Sequence, residues 1–184
     1  MTLNNIIFYF SGTGNSLKAA KTISKELGNS EIVSMAKPGK YSLGKKYDTV
    51  GFIFPVYCCG LPKKVIEFVE NMNLSNNNNS YFYSIATCGG SAGNAVYQIY
   101  ELLLNKHGIK LNYGQELRMF SNYVVLYNMK ENVDEITKKS NENLIPIISS
   151  IKKKENNKVK KFYKILNIVN KLFLKYAISV PVPG

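Results

Sequence analysis

Six consecutive residues, Ser11-Gly12-Thr13-Gly14-Asn15-Ser16, combine hydroxyls, glycines and a side-chain amide with no charged group among them. They directly follow the apolar run Ile6-Ile7-Phe8-Tyr9-Phe10 and directly precede a helix-like segment from Leu17 to Leu27. A buried strand that ends in such residues and then enters a helix makes an anion pocket. The first helical turn carries N–H groups without intrahelical acceptors, and the helix dipole favours negative charge there. Glycine lets the backbone come close to a ligand, and Ser and Thr hydroxyls add donors. The loop has no Lys or Arg, so neutral donors alone would hold a phosphate.

Two well-known phosphate loops do not fit these residues. A Walker loop needs glycine, four residues and then Gly-Lys-Ser/Thr, and counting from Gly12 puts Leu17 where the second glycine belongs. The dinucleotide fingerprint also fails at Leu17, its third glycine, and Ser34-Met35-Ala36 lacks the acid it needs after the second strand.

Apolar, β-branched runs alternate with helix-period runs, which predicts an α/β domain with a mainly parallel sheet. Strands are expected near 5–10, 31–35, 48–54 and 80–87, with a last one within 109–127. Helices are expected near 14–27, 62–72, 92–107 and 133–152; in the third, Val96, Ile99, Tyr100, Leu103 and Leu104 have the spacing of one buried face. In such a sheet ligands bind beyond the carboxyl ends of the strands, where strand order reverses. Two more loops should therefore join the first. One is Pro55-Val56-Tyr57-Cys58-Cys59-Gly60-Leu61-Pro62, an aromatic ring and a glycine between two prolines that fix the backbone. The other is Ala86-Thr87-Cys88-Gly89-Gly90-Ser91-Ala92-Gly93-Asn94, small and rich in backbone donors.

Composition narrows the class. The 184 residues suffice for one well-buried domain plus an extension, and 45% of them are apolar. No run of about 18 uncharged apolar residues exists, and Met1-Thr2-Leu3-Asn4-Asn5 leads straight into the first strand without a secretory signal. Cys58 and Cys59 are adjacent and Cys88 is remote, which fits neither a disulfide framework nor a Cys-x-x-Cys site. Reduced thiols in a cytoplasmic protein are the expectation. A thiol mechanism is disfavoured because no histidine sits in these loops; His107, the only one, falls at a helix end before Gly108.

The net charge of +12 is concentrated late in the chain: residues 151–184 carry nine Lys against one Glu. No recognition motif accompanies it, which argues against nucleic acid. Within 155–178, Val159, Phe162, Tyr163, Leu166, Val169, Phe173 and Tyr176 recur at helical spacing, while Lys160, Lys164, Asn167, Lys171 and Lys175 fill the other face. Such a basic amphipathic helix either packs its stripe on the domain or docks, through Lys-rich 152–175, to an acidic partner or membrane surface. Pro181-Val182-Pro183-Gly184 follows as an extended tail.

The first loop, read as Ser/Thr-x-Thr-Gly-x-Ser/Thr after the opening strand, resembles the phosphate loop of flavodoxins. With the other two loops in order, residues 1 to about 127 look like a flavodoxin-like, FMN-binding domain. Phe-Ser-Gly-Thr-Gly-Asn-Ser is especially similar to the flavodoxin half of the EFR1 family, two-module proteins in which a ferredoxin domain follows. The resemblance implies a doubly wound five-stranded parallel sheet in the order 2-1-3-4-5. Residues 1–154 would form the FMN-binding domain and 155–184 a basic helix and tail.

It also implies roles. Ser11, Thr13, Gly14, Asn15 and Ser16, with Gly12, would hold the FMN phosphate. Tyr57, in Pro55-Val56-Tyr57-Cys58, would flank the isoalloxazine, and Gly60 would lie near flavin N5, free to turn a peptide toward it. Thr87, Cys88, Gly89 and Gly90 would run along the pyrimidine edge. The implied activity is FMN-dependent electron transfer between redox proteins, with a ferredoxin-type partner. The alternatives are an NAD(P)H-linked quinone or flavin reductase, a protoporphyrinogen-oxidase-like flavoenzyme, or an interaction module built on the basic helix. Two departures stand out: the 184 residues contain no Cys-x-x-Cys-x-x-Cys run of a ferredoxin module, and the acidic character usual in flavodoxins is missing.

Overall fold

The apolar runs become five strands, β1 (Asn5–Tyr9), β2 (Ser30–Ser34), β3 (Thr49–Pro55), β4 (Tyr81–Cys88) and β5 (Tyr113–Arg118). They come from a computed structural model that describes residues 4–37, 40–120, 133–162 and 164–177. The strands form one sheet in the order β2-β1-β3-β4-β5, with every neighbouring pair parallel. The expected order and element positions are those observed, and the last strand occupies the first half of its broad window.

Parallel strands need crossover helices, and helices on both faces bury both sides of each strand. Alternate residues accordingly feed two cores. Ile6, Phe8, Val50, Phe52, Phe54 and Phe82 face α2 (Lys63–Asn71) and α3 (Ala95–His107). Ile7, Ile53, Tyr83 and Ile85 face α1 (Asn15–Leu27) and α4 (Val133–Lys152). His107 closes the end of α3 by donating a ring N–H to the Val69 carbonyl at 2.7 Å, a structural use of the lone histidine.

After α4 the chain turns at Lys154, in the left-handed region at φ 52°, and runs back along the edge strand β5. The Asn157 side-chain amide pairs with the Gly114 peptide through both its groups, at 2.9 Å each, and the Asn157 N–H reaches the Asn112 carbonyl at 3.0 Å. An exposed sheet edge invites pairing with another chain, and this short segment covers part of it.

Helix α5 (Lys164–Ala177) lies within the amphipathic segment anticipated at 155–178. Its contact with the domain is polar, so the apolar stripe, one of whose two anticipated roles was to pack there, does not define it. Asn170 is 2% exposed, whereas Ile168 is 57% and Leu172 49% exposed. Tyr163 and the Pro181–Gly184 tail fall outside the described residues. Among the described residues, no helix is long and apolar enough to cross a membrane.

Candidate functional site

The chain leaves β1 toward β2 on one side and β3 toward β4 on the other, so a crevice opens where their exits diverge. The loop after β1 forms its floor. Gly14 occupies the cap position of α1 at φ 97°, a left-handed conformation that a side chain with a Cβ rarely adopts. Its carbonyl accepts the Lys18 N–H at 2.8 Å, and its N–H donates to Ser11 Oγ at 3.0 Å. Gly12, Thr13 and Gly14 are exposed, at the end of a helix whose first amides have no intrahelical acceptor. The Asn15 side-chain amide donates to the Phe120 carbonyl at 2.7 Å, fixing the loop from beyond β5.

Ser16 and Thr87 are brought together. Their hydroxyls share a hydrogen bond of 2.8 Å and are buried, so the first loop is bolted to the end of β4. The Val56 N–H donates to the Thr87 carbonyl at 3.0 Å, which joins the second loop to the third. Tyr57 is half-buried, edge-on to Phe10 with ring centroids 6.2 Å apart. Its hydroxyl lies 3.1 Å from where a Cβ on Gly12 would stand, so the ring leans across to the loop after β1. Burial raises its pKa, which keeps the phenol neutral.

Tyr57-Cys58-Cys59-Gly60 is a tight turn closed by reciprocal backbone bonds of 3.0 and 3.1 Å between Tyr57 and Gly60. Cys58 and Cys59 sit at φ 46° and 62°, the pair of positive values that defines a primed turn and normally selects Asn or Gly. For residues with a Cβ this costs on the order of 1–2 kcal/mol each. Gly60, read from sequence as the free residue of this loop, has no positive φ; the unusual backbone is at the two cysteines.

Neighbours hold the turn. The Asn94 N–H donates to the Cys59 carbonyl at 2.9 Å, the Leu61 N–H to Gln98 Oε1 at 2.7 Å, and Asn170 Nδ2 to the Tyr57 carbonyl at 2.7 Å. At a net of about 1 kcal/mol per bond, these three with the two of the turn itself outweigh the strain. Gly93 allows the approach, since a Cβ there would stand 2.7 Å from Cys59 Cβ. Asn167 Oδ1 completes the seam by accepting from Asn94 Nδ2 at 2.9 Å and Gln98 Nε2 at 3.0 Å.

Sequence reading named Asn94 only as the end of the third loop and Asn167 only on the lysine face of the last helix, and did not include Gln98 or Asn170. The signal available was that Asn167 and Asn170 are amides three residues apart in a helix whose other polar positions are mostly lysine, which puts both on one face. Gly89 and Gly90 remain exposed at the rim.

The thiols of Cys58 and Cys88 are not activated. Burial, with the Glu116 carboxylate adding to it and Arg118 opposing, pushes Cys88 up to about 12. Burial and then Cys59 raise Cys58. Thiolate is the reactive form, and an ordinary cysteine (pKa ~8.5) is largely thiolate at about pH 9. Cys88 is therefore expected to resist iodoacetamide at that pH in the native protein and to react readily once denatured, read by mass spectrometry of labelled peptides. Among the described residues, no cluster of His, Cys, Asp and Glu is suited to a metal ion.

A family model described as a flavodoxin domain matches residues 6–111, which includes all three loops. No curated protein matches the sequence significantly. Among solved structures, an apo NADH:FMN oxidoreductase superposes with a TM-score of 0.56 at 12% identity, covering 84% of this chain and 91% of that one. A protein from Bacteroides uniformis gives 0.51 at 20% identity, with 68% and 96% covered. The two-electron-reduced flavodoxin of Megasphaera elsdenii gives 0.50 at 16% identity, with 64% and 88% covered. At such identities the likeness is one of fold.

Proposed function

The chain belongs to the flavodoxin-domain family, and from that premise we propose that it binds FMN in the crevice and serves as an electron carrier between redox proteins. The observation that carries the reading is the convergence of three strand-end loops, one of them an uncharged hydroxyl, glycine and amide loop at the mouth of α1.

The residues present fit the group. The amides opening α1, with the hydroxyls of Ser11 and Thr13, are donors suited to a phosphate dianion. Ser16 acts one step back, tying this loop to Thr87. Tyr57 offers a half-buried ring for stacking, worth about 0.5–1.5 kcal/mol beyond the area it buries. Pro55, Val56 and Cys58 flank it, and Thr87, Cys88, Gly89 and Gly90 form the remaining wall. Bound FMN supplies one- and two-electron transfer; the protein supplies placement and electrostatics.

Burial favours the neutral form of Tyr57, Cys58 and Cys88, so none of these three is tuned as a base. That favours a carrier over an enzyme that must move protons on a substrate. The deciding experiment is anaerobic stopped-flow with the FMN-loaded protein. Fast reduction by a reduced ferredoxin-type protein and none by NADPH is expected; rapid NADPH oxidation would make it a reductase instead.

The lysines of 152–175 are proposed to receive an acidic redox partner, since opposite charge speeds encounter and salt screens it. Of these, Lys171 and Lys175 lie on α5, the helix whose Asn170 meets the Tyr57 carbonyl, whereas Lys152 pairs with Glu26 of α1 at 2.9 Å. Binding to anionic vesicles in preference to acidic proteins would move the assignment to a membrane surface.

A further inference from the structure

Helix α5 meets the Tyr57–Gly60 turn through Asn170. Asn170 is 2% exposed and donates to the Tyr57 carbonyl at 2.7 Å, while Gln98 Nε2 approaches its Oδ1 at 3.4 Å. On the other side of the turn a Cβ on Gly60 would stand 2.3 Å from Asn170 Cγ and 2.5 Å from its Oδ1. No side-chain contact closer than 3.0 Å to a Cβ is tolerated without movement, so the glycine at 60 is what lets Asn170 seat. The donor and the gap it occupies are matched, fifty and more residues beyond the sheet that builds the rest of the site.

The turn that Asn170 grips is the strained one, with Cys58 and Cys59 both left-handed. A turn of this kind relaxes unless its surroundings over-determine it. Tyr57, whose ring leans over the phosphate loop, is the first residue of that turn, so the position of its carbonyl and the position of its ring are set together. We propose that α5 is a working part of the cofactor site and that Asn170 is a positioning residue, holding the Tyr57–Gly60 turn that flanks the flavin ring. This rests on the FMN reading above. It makes the basic helix a mechanical link: a partner that docks on α5 presses on a helix tied to the turn beside the ring.

The test uses the full chain and four variants: Asn170→Asp, which keeps the shape and removes the donor, Asn170→Ala, Gly60→Ala, and the double Gly60→Ala, Asn170→Ala. Amide exchange in the apo-protein is read at Gly60 and Leu61, and FMN affinity is read by fluorescence quenching. Losing one buried hydrogen bond to the turn is expected to speed exchange there and weaken FMN by about tenfold each. The separation of the two one-electron midpoint potentials should shift as well, a readout that loss of global stability alone would not move. Gly60→Ala should mimic Asn170→Ala by displacing the same side chain, and the double variant should be no worse than either alone.

Full additivity in the double variant would overturn the clamp, because Gly60 would then matter for its own reasons. So would unchanged exchange and affinity in Asn170→Asp while the wild type takes up FMN normally. A wild type that binds no FMN would overturn the premise and the clamp's role in the site together, even with the exchange effect present. Should Asn170→Asp fail to fold, the Gly60→Ala and Asn170→Ala pair still decides the matter.

Discussion

A variant carrying Thr13→Ala with Gly14→Val is expected to lose FMN affinity by about 100-fold or more while remaining folded. Gly14 sits at φ 97°, and a β-branched residue is a genuine outlier there. Nothing lies within 4 Å of where its Cβ would go, so valine meets no clash; the penalty is conformational. To relieve it the peptide must rotate, and the amides that follow at the start of α1 swing away from a bound phosphate. Thr13→Ala removes a hydroxyl donor as well. Hydrogen bonds to a charged group contribute about 1.5–3 kcal/mol each, so two lost contacts give roughly 100- to 10,000-fold. Backbone strain of about 1–3 kcal/mol lowers Tm by roughly 2–12 °C in a domain of this size. Calorimetric titration with FMN and a circular-dichroism melt read the two effects separately.

Deleting residues 155–184 is expected to destabilise the protein and make it aggregate. The deletion removes both bonds between Asn157 and the Gly114 peptide, the Asn157–Asn112 backbone bond and the Asn156–Asn112 contact at 3.0 Å. It also strips Val159 from its packing against Gly114 and leaves β5 as an open edge beside α3. With α5 gone, Asn94 and Gln98 lose the Asn167 acceptor and the Tyr57 carbonyl loses Asn170. At about 1 kcal/mol per bond the sum approaches the 5–15 kcal/mol that typically separates folded from unfolded. A shorter truncation after Lys160 separates the two contributions: it keeps Asn156, Asn157 and Val159 on the edge, so solubility should return while FMN affinity stays impaired. Light scattering and thermal melts of the three lengths provide the check. A soluble 1–154 fragment with the full-length Tm would show that the C-terminal segment is an appendage.

The middle of the sheet was legible because β1, β3 and β4 each announce themselves twice, as an apolar run and by the glycine-bearing exit after it. Ile6 to Phe10, Thr49 to Phe54 and Tyr81 to Thr87 are apolar on both faces because helices cover both, and alternation in polarity is not required of them. The crevice followed from topology: once the order 2-1-3-4-5 is drawn, three loops must meet at one edge. What could not be read was how the loops are held. The Ser16–Thr87 bond joins hydroxyls 71 positions apart, and nothing local to either residue names the other. The turn at Cys58-Cys59 was hidden for a different reason. Primed turns advertise themselves by Asn-Gly or Gly-Gly, and here tertiary hydrogen bonds override the residue preference.

Helix α5 shows the limit of hydrophobic periodicity. Its spacing pointed to an amphipathic helix, and a helix formed, but the face that meets the domain is defined by Asn167 and Asn170. Val169 and Phe173, members of the apolar stripe, are 40% and 38% exposed. Periodicity reports which residues share a face. It does not report that buried amides, each with a partner, dock a helix as well as leucines do.

The claim on which the account depends is that the uncharged loop at the mouth of α1 binds FMN. Its most direct test is to incubate the purified chain with excess FMN, pass it through a desalting column and record the visible spectrum of the protein fraction. The account predicts a yellow protein with stoichiometric flavin, its fluorescence quenched by the neighbouring Tyr57 ring, and no retention by the Thr13→Ala, Gly14→Val variant. A folded wild-type protein that emerges colourless would contradict it.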